Sequence, residues 1–242
     1  MKIVICIPTY NERENIGPLL KALQEKGQVL GEHDFAFLVV DDNSPDGTQD
    51  VVKEIMEKNK NVHLLTGEKK GLGVATMRGF DYSVNKLGAD VVVTMDADFS
   101  HSPQDVPRLI QKLEEGSDFV IGSRYVEGGS IPSEWGLHRK ILSFFGNVVA
   151  RVLGVWRVHD QTPAFRAIRS DVLEKTNLKN MPDGYAFQIA LVCRANDAGA
   201  RFAEVPIHFV DRTEGQSKMP ARTIFETLWF LIKYRMRKVF GS

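Results

Sequence analysis

The sequence has few cysteines and no long apolar run, and both absences narrow the possible classes of protein. Only two cysteines, Cys6 and Cys193, occur among 242 residues, which is too few for a disulfide framework, so we expect a reducing compartment. No stretch of about 18 apolar residues is present, so no segment is predicted to span a bilayer. The opening residues form too short an apolar run for a signal peptide. We therefore expect a soluble or peripheral protein.

The sequence also lacks net charge. Thirty-one Lys and Arg residues balance thirty-one Asp and Glu residues, so we expect no general affinity for nucleic acid. The balance conceals a polarity along the chain. From residue 201 onward, eight cations stand against four acids, so this part carries +4 and residues 1–200 carry −4.

Short β-branched runs alternate with helical patterns in the first half of the chain. This order predicts right-handed βαβ units, and so an α/β fold with a mostly parallel sheet flanked by helices. The predicted strands are 3–7, 35–40, 62–65, 91–95 and 119–122. The predicted helices are 14–26, 48–58, 74–86 and 107–115.

Acids follow three of the predicted strands, and an arginine, Arg124, follows another. In a parallel sheet, ligands bind beyond the carboxyl ends of the strands. Asp96 and Asp98 are two residues apart, so in an extended segment both carboxylates point to one side and can share a hard cation such as Mg²⁺ or Mn²⁺. The alternative is that these aspartates cap the next helix. The residue types indicate a site for a metal ion and an anion.

The polar segment after the second strand has a structural explanation of its own. Its Asn, Ser, Pro, Asp and Gly residues are typical of a turn, and either Asp46 or Thr48 is placed to cap the following helix. Capping needs only one acid, which leaves Asp42 without a structural role.

Two other site classes are disfavoured by missing patterns. A dinucleotide site needs glycines in the first βα turn, and none lies between Pro8 and Ile16; Gly71 and Gly73 come later and are predicted to open a helix. The six histidines form no i,i+4 pair with a glutamate, which disfavours a zinc hydrolase. His101 lies just past Asp98, and we expect either a contact with the site or, more often, a solvated loop histidine.

Ordered motifs run from about Ile3 to Lys218. The first three are Pro8-Thr9-Tyr10-Asn11-Glu12, Val39-Val40-Asp41-Asp42-Asn43-Ser44-Pro45-Asp46-Gly47-Thr48 and Met95-Asp96-Ala97-Asp98. Their combination resembles inverting family-2 glycosyltransferases of the GT-A fold. Later motifs are Gly122-Ser123-Arg124-Tyr125, Arg139-Lys140-Ile141-Leu142-Ser143, Thr162-Pro163-Ala164-Phe165-Arg166 and Val210-Asp211-Arg212-Thr213-Glu214-Gly215-Gln216-Ser217-Lys218. These resemble the dolichol-phosphate (polyprenyl-phosphate) mannose synthases in their short form without transmembrane helices.

The resemblance implies a GT-A fold, Rossmann-like, that binds GDP-mannose with Mg²⁺ or Mn²⁺ and transfers mannose to dolichyl or polyprenyl phosphate. It assigns the guanine and ribose to Pro8, Tyr10, Glu12, Val40 and Asp42. It places Asp96, Ala97 and Asp98 near the ribose, diphosphate and metal, with Asp98 as the metal ligand. It turns Arg124, Arg212 and Lys218 toward phosphate groups. Arg139 and Ser143, four residues apart and so on one helical face, would receive the acceptor phosphate. The implied catalytic residues are Asp98, Arg124, Arg139 and Ser143.

The chain departs from this family pattern at two positions. Some members carry glutamine as a further metal ligand where this chain has Ser100. The family usually has Asp-x-Thr-Gly before Phe-Arg, whereas Pro163 ends the corresponding Asp160-Gln161-Thr162-Pro163 segment. Proline fixes φ near −65° and removes an N–H, so we expect a differently shaped loop there.

Two apolar helical stripes suggest contact with a membrane surface. The first comprises Ile141, Phe145, Val148 and Val152 with Phe144 adjacent, and the second comprises Phe225, Leu228, Trp229, Ile232 and Met236. The second leads into a basic end, which suits a helix in a bilayer interface. We expect a glycosyltransferase domain over 1–218 and an amphipathic basic helix over 219–242, peripheral on the cytoplasmic face of a membrane. The alternatives are that both helices pack on the core, or that the tail docks on a partner.

Two other functions stay open at this point. The same fold with UDP-glucose would make a lipid-phosphate glucose. Alternatively, the chain would be a non-catalytic subunit that binds nucleotide or lipid and recruits a membrane partner. A separate membrane-anchoring subunit is compatible with any of these functions.

Overall fold

Seven strands of the described residues form one sheet at the centre of the protein. The computed structural model describes residues 1–211 and 221–241. The strands are β1 (Lys2–Thr9), β2 (Asp34–Asp41), β3 (Val62–Thr66), β4 (Val91–Thr94), β5 (Phe119–Ser123), β6 (Arg166–Arg169) and β7 (Phe202–Pro206). Their order across the sheet is β3-β2-β1-β4-β6-β5-β7.

Helices connect and cover these strands. They are α1 (Arg13–Val29), α2 (Thr48–Lys58), α3 (Leu72–Asn85), α4 (Val106–Glu114), α5 (Leu137–Leu153), α6 (Ser170–Lys175), α7 (Gly184–Asp197) and α8 (Ala221–Phe240). A short 3₁₀ turn, Pro103–Asp105, precedes α4. The nine elements predicted from the first half of the chain are all present, with ends that differ by a few residues.

Six of the seven strands point the same way. β1 pairs in parallel with both β2 and β4, and β5 pairs in parallel with β7. Only β6 is reversed, because it runs antiparallel to its neighbours β4 and β5. The α/β class with a mostly parallel sheet is therefore confirmed, and the carboxyl ends of all strands but β6 meet at one edge.

The core lies on both faces of the sheet, as alternation along β1 requires. Ile3, Ile5 and Ile7 pack on one face, and Val4 and Cys6 pack on the other. The first face is covered mainly by α1 and α4, which bury Ile16, Leu19, Leu20, Leu23, Leu109, Ile110 and Leu113. The second is covered mainly by α3 and α7, which bury Ala75, Phe80, Phe187, Ile189, Leu191 and Val192. Helices on both faces fix the loops at the carboxyl edge.

The last helix, α8, docks on α7 through its buried Leu231 and Tyr234. At the end of α7, Asp197 accepts a hydrogen bond from the Tyr234 hydroxyl at 2.9 Å and pairs with Arg237 and Lys238, each at 2.6 Å. The opposite face of α8, with the predicted stripe, is largely exposed. Within the two described ranges, no helix is both long and apolar enough to cross a membrane.

Candidate active site

Two loops at the carboxyl edge of the sheet are tied to each other. After β1, the backbone N–H of Asn11 donates to Ser44 Oγ and that of Glu12 donates to Thr48 Oγ1, both at 3.0 Å. Asp46 accepts the N–H of Thr48 at 2.9 Å, so it satisfies the first turn of α2 as one of the two predicted capping candidates. These bonds hold the loop after β1 against the loop after β2.

The two adjacent aspartates at the end of β2 have different roles. Asp41 is fully buried and accepts hydrogen bonds from Thr9 Oγ1 at 2.9 Å, from the backbone N–H of Ser44 at 2.9 Å and from Gln49 Nε2 at 2.7 Å. The Ser44 hydroxyl also donates, at 2.6 Å, so four donors on one buried carboxylate make Asp41 the centre of the turn. Its role is structural.

Asp42 has a structural partner that the sequence does not reveal. Arg78 Nη2, on α3, donates to Asp42 Oδ1 at 2.7 Å. Burial raises the pKa of the Asp42 carboxyl above its ordinary value, and the charge and hydrogen bond of Arg78 oppose that rise. The expectation that Asp42 lacks a structural role is therefore wrong. Its carboxylate is fixed in place beside the loop after β1.

The other residues assigned to the nucleoside lie near the carboxyl ends of β1 and β2 or in the loop after β1. Tyr10 is exposed, and Lys69 Nζ lies 3.3 Å from the centre of its ring. Glu12 Oε2 accepts from Asn15 Nδ2 at 2.8 Å, at the start of α1. Pro8 and Val40 pair in register on β1 and β2. The structure thus brings these five predicted residues to neighbouring strand ends and their loops.

The Asp96-Ala97-Asp98 segment follows β4 after one residue, Met95. Asp96 and Asp98 are partly exposed, whereas Ala97 between them is buried. Asp98 Oδ1 accepts the backbone N–H of Ser100 at 3.0 Å. No group of three or more His, Cys, Asp and Glu side chains that could hold a metal occurs within residues 1–211 and 221–241. Two hard carboxylates still suit Mg²⁺ or Mn²⁺, because these ions commonly complete their coordination with water and substrate phosphates.

His101 is not the solvated loop residue that we expected. It is 1% exposed, stacks on Phe165 with ring centres 5.2 Å apart and meets Phe209 edge-on at 5.6 Å. Its Nδ1 lies 3.3 Å from the backbone N of Asp96, which donates to it. That expectation is wrong because aromatic residues from distant parts of the chain enclose the ring. His101 therefore holds the backbone of the Asp96 segment in place through this hydrogen bond.

Arg124, after β5, forms a buried ion pair. Its Nε and Nη2 donate to the two carboxylate oxygens of Asp160 at 2.8 and 2.9 Å, and Nη2 also donates to Thr162 Oγ1 at 2.6 Å. Burial alone would raise the pKa of Asp160, but the Arg124 charge and hydrogen bonds outweigh it and hold that pKa below its usual value. The guanidinium is therefore oriented by the loop that contains Pro163.

That loop is anchored to α5 and to β6. The N–H of Gln161 donates to Asn147 Oδ1 at 2.9 Å, and the carbonyl of Gln161 accepts from Arg166 Nη2 at 2.8 Å. Arg166 is fully buried, and burial lowers its pKa to about 9. The Asp160-to-Pro163 segment thus forms part of a buried polar network and holds Arg124 rigidly.

The two residues assigned to the acceptor phosphate lie on α5, as predicted. Arg139 pairs with Asp211 at 2.9 Å, and its guanidinium lies 3.9 Å from the Trp135 ring centre. Ser143 Oγ accepts the Tyr125 hydroxyl at 2.7 Å. Tyr125 follows β5 and Asp211 follows β7, so both contacts attach this face of α5 to the carboxyl edge of the sheet.

Some residues of the site lie outside the described part of the chain, and the sequence does not indicate some others. Arg212 and Lys218 lie outside the described residues. The sequence does not reveal Arg78 as the partner of Asp42, or Asp211 as the partner of Arg139. The available signal was weak, since an isolated arginine in α3 reads as a solvated side chain.

Relatives of known activity cover nearly the whole chain. Polyprenol monophosphomannose synthase of Mycolicibacterium smegmatis is 38% identical over 98% of this chain and 88% of its own. Undecaprenyl-phosphate mannosyltransferase of Micrococcus luteus is 39% identical over 94% and 91%. Dolichol-phosphate mannosyltransferase of Pyrococcus furiosus is 35% identical over 100% of this chain and 65% of its own. Each of these three matches extends over at least 94% of this chain.

Solved structures share its fold at lower identity. Glucosyl-3-phosphoglycerate synthase from Mycobacterium tuberculosis, in complex with Mn²⁺ and UDP-glucose, superposes with a TM-score of 0.66 at 18% identity and covers 97% of this chain and 78% of that one. The mannosyltransferase PcManGT from Pyrobaculum calidifontis, with GDP-Man and Mn²⁺, gives 0.62 at 16% identity, covering 99% and 64%. These neighbours are glycosyltransferases of the GT-A fold, as the motifs implied.

Residues 4–176 match the sequence profile of Glycosyl transferase family 2. This match covers most of the sheet and the acidic strand ends described above. Together with the relatives, it establishes the assignment: the chain belongs to glycosyltransferase family 2.

Proposed function

We propose that this chain transfers mannose from GDP-mannose to dolichyl or polyprenyl phosphate, with inversion at the anomeric carbon. The observation that carries the proposal is the convergence of two kinds of group at one sheet edge. Asp42 and Asp98 follow β2 and β4, and Arg124 follows β5. Arg139 and Ser143 reach the same edge through residues that follow β7 and β5. The names of the relatives supply mannose and the polyprenyl phosphate.

On the donor side, the loops after β1 and β2 form the nucleoside pocket. Tyr10 offers an exposed ring face, and Asp42 offers a fixed carboxylate. Asp98, with Asp96 beside it, would hold Mg²⁺ or Mn²⁺, which supplies neutralisation of the diphosphate charge that develops as the sugar leaves. The Mn²⁺ in two structural neighbours supports this choice of ion.

On the acceptor side, the chemistry asks for positive charge rather than for a base. A phosphate monoester is already largely ionised near neutral pH because its second pKa is about 6. Arg139 can exchange its partner Asp211 for the acceptor phosphate, because a guanidinium binds a phosphate bidentately. Ser143 lies one helical turn away on the same face. The acceptor oxygen then attacks the anomeric carbon in line, and positioning supplies most of the catalysis.

An incubation with defined substrates tests the proposal. The chain is mixed with Mn²⁺, a phosphorylated polyprenol and either GDP-mannose or UDP-glucose, and the lipid product is isolated. We expect a mannosyl lipid phosphate from GDP-mannose, with the β anomer identified by NMR, and no product from the Asp98→Asn variant. Product only from UDP-glucose would assign a glucosyltransferase. No turnover with either donor would favour the non-catalytic subunit.

The lipid acceptor also calls for a place at a membrane surface, on its cytoplasmic face. The exposed side of α5 presents Phe144 and Phe145, which are 52% and 57% exposed, and the outer face of α8 presents Phe225 and Trp229 at 71% and 60%. α5 and α8 contact each other, so these apolar faces belong to one region. Apolar faces bordered by Trp, Lys and Arg suit an anionic bilayer interface.

Flotation with liposomes that contain anionic lipid tests the membrane surface. Substituting Phe225 and Trp229 by Ser leaves the buried face of α8 intact, so the fold is retained and we expect less floated protein. Substituting the exposed residues Lys53 and Glu54 on α2 by Ser, which leaves the net charge unchanged, is the matched control. Equal flotation of wild type and the α8 variant would contradict the assignment, and the C-terminal helix would then remain free to dock on a protein anchor.

A further inference from the structure

We propose that Arg78 determines which nucleobase the donor pocket accepts, by holding the Asp42 carboxylate as a fixed, acceptor-only group. The inference rests on the proposed function, because it takes Asp42 as the group that faces the base. It adds a residue on α3, a helix outside the loops that contain the assigned nucleoside ligands.

The guanidinium of Arg78 is confined on two sides. On one side, Nη2 donates to Asp42 Oδ1 at 2.7 Å. On the other, Nη1 lies so close to Gly67 that a Cβ at residue 67 would overlap it. The backbone N–H of Gly67 in turn donates to the carbonyl of Asp41 at 3.0 Å. Arg78 is thus held between the loop after β3 and the end of β2.

The charge state of Asp42 depends on three neighbours from different elements. Arg78 on α3 and Lys69 in the loop after β3 favour the ionised carboxylate, whereas Asp41 on β2 opposes it. The side chain of Asp42 is only 8% exposed, and burial raises its pKa. Arg78 is the only one of these cations with a direct hydrogen bond, so its removal would leave burial and Asp41 opposed by Lys69 alone.

The protonation state of Asp42 decides what it can recognise. An ionised carboxylate only accepts hydrogen bonds, whereas a protonated one also donates. Guanine and uracil carry a ring N–H on the edge used for base pairing, and adenine and cytosine carry an unprotonated ring nitrogen there. A fixed carboxylate therefore selects the first pair, since polar groups left unpaired in a buried site reject the wrong ligand strongly.

A purely structural ion pair would behave differently from a selective one. If Arg78 served only to hold α3 against β2, its loss would lower stability and weaken all nucleotides alike. A residue that sets the charge of Asp42 instead changes the ratio between nucleotides, and it makes that ratio depend on pH.

The experiment is a titration of the full chain, in the presence of Mn²⁺, with GDP and ADP by calorimetry. The variants are Arg78→Met, Arg78→Lys, Asp42→Asn and the double variant, with Arg201→Met as control. Arg201 forms an ion pair with Asp118 at the opposite end of β5. For Arg78→Met we expect GDP affinity and the GDP-to-ADP affinity ratio each to fall about tenfold, since a lost charged hydrogen bond has this order of effect.

The remaining variants separate the explanations. Arg78→Lys retains the charge and should keep the ratio within about threefold of wild type. GDP affinity of Arg78→Met should recover as pH rises, because Asp42 then ionises without its partner. In the Asp42→Asn background, adding Arg78→Met should change the GDP-to-ADP affinity ratio very little. If Arg78→Met does not fold, Gly67→Ala displaces the guanidinium without deleting it and should lower the same ratio.

Three outcomes would overturn the inference. An unchanged GDP-to-ADP affinity ratio in folded Arg78→Met, with normal GDP binding by wild type, would overturn the role of Arg78 and leave the proposed function intact. A ratio that falls without any dependence on pH would remove the role of Asp42 ionisation. A wild-type chain that binds no nucleoside diphosphate would overturn the proposed function and this inference together.

Discussion

Two of the arginine–aspartate pairs at the site, Arg124–Asp160 and Arg139–Asp211, differ most in their exposure to solvent. The Arg124 and Asp160 side chains are 8% and 0% exposed, whereas those of Arg139 and Asp211 are 40% and 39% exposed. The buried pair is bidentate and supported by Thr162. The exposed pair lies over an indole ring.

The difference in exposure separates a fixed cation from an exchangeable one. Water screens the exposed pair, so replacing Asp211 by another anion needs little free energy. Separating the buried pair would leave a charge without compensation in a low-dielectric surrounding. We therefore expect Arg124 to act as a fixed part of the site and Arg139 to change partner when the acceptor phosphate arrives.

The largest effect is expected from breaking the buried pair. Asp160→Asn should reduce the free energy of unfolding by about 3–5 kcal/mol, because Arg124 and the buried Arg166 lose their nearest negative charge. Urea denaturation followed by circular dichroism measures this. Asp171→Asn, which breaks an exposed pair with Lys175 on α6, is the control and should not shift the midpoint. An Asp160→Asn variant whose midpoint also stays unchanged would contradict the distinction between the buried and the exposed pair.

The next effect concerns the exposed pair and the acceptor. Arg139→Ala should raise KM for the polyprenyl phosphate about tenfold or more, since a bidentate phosphate contact is lost. The dissociation constant of GDP-mannose should stay unchanged. Steady-state kinetics and calorimetry measure the two quantities separately. Equal losses in both would remove Arg139 from the acceptor side.

A smaller effect is expected from pH. The pKa of Asp160 lies below its ordinary value because Arg124 outweighs burial, so this carboxylate stabilises the fold above the unfolded pKa of about 4. That stabilisation is lost as pH falls through the lower, folded-state pKa. Urea midpoints should be level near pH 6 and fall below about pH 4, less steeply for Asp160→Asn than for wild type. Identical slopes would show that the pair contributes nothing to acid stability.

The smallest effect sharpens the comparison from the other partner. Asp211→Asn keeps the shape of the exposed pair but removes the competing charge from Arg139. KM for the acceptor should fall by about two- to fivefold, in line with the weak energy of exposed pairs. The matched Asp171→Asn change removes an acid from an exposed pair with Lys175 on α6, away from the carboxyl edge of the sheet, and should leave this KM unaltered. A rise in KM for Asp211→Asn would show that Asp211 orients Arg139 rather than competing for it.

The sequence predicted the first half of the fold because its strands are apolar runs between helical patterns. It did not predict β6, whose four residues are Arg-Ala-Ile-Arg, because burial of Arg166 depends on Gln161 and Gln188 from other elements. β7 contains Glu204 and Pro206, which break the apolar pattern of a strand. In both of these strands, tertiary contacts decide where a charged residue lies.

The site shows the same division. Strand ends identified Asp42, Asp98 and Arg124 as neighbours at one edge, since parallel strands bring their carboxyl ends together. The partners of the arginines were not predictable, because 36 residues separate Arg124 from Asp160 and 72 separate Arg139 from Asp211. The motifs identified Arg124 and Arg139 as cations of the site, and only the packed structure shows that both have anionic partners.

The bonds from the N–H groups of Asn11 and Glu12 to Ser44 and Thr48 have a consequence for engineering. Each loop supplies the hydrogen-bond partners of the other. Replacing one loop alone by that of a different enzyme would therefore leave polar groups of the remaining loop without hydrogen-bond partners. Exchanging both loops together preserves the hydrogen bonds between them. Attempts to redesign the nucleotide preference of this protein should therefore replace the two loops as a pair.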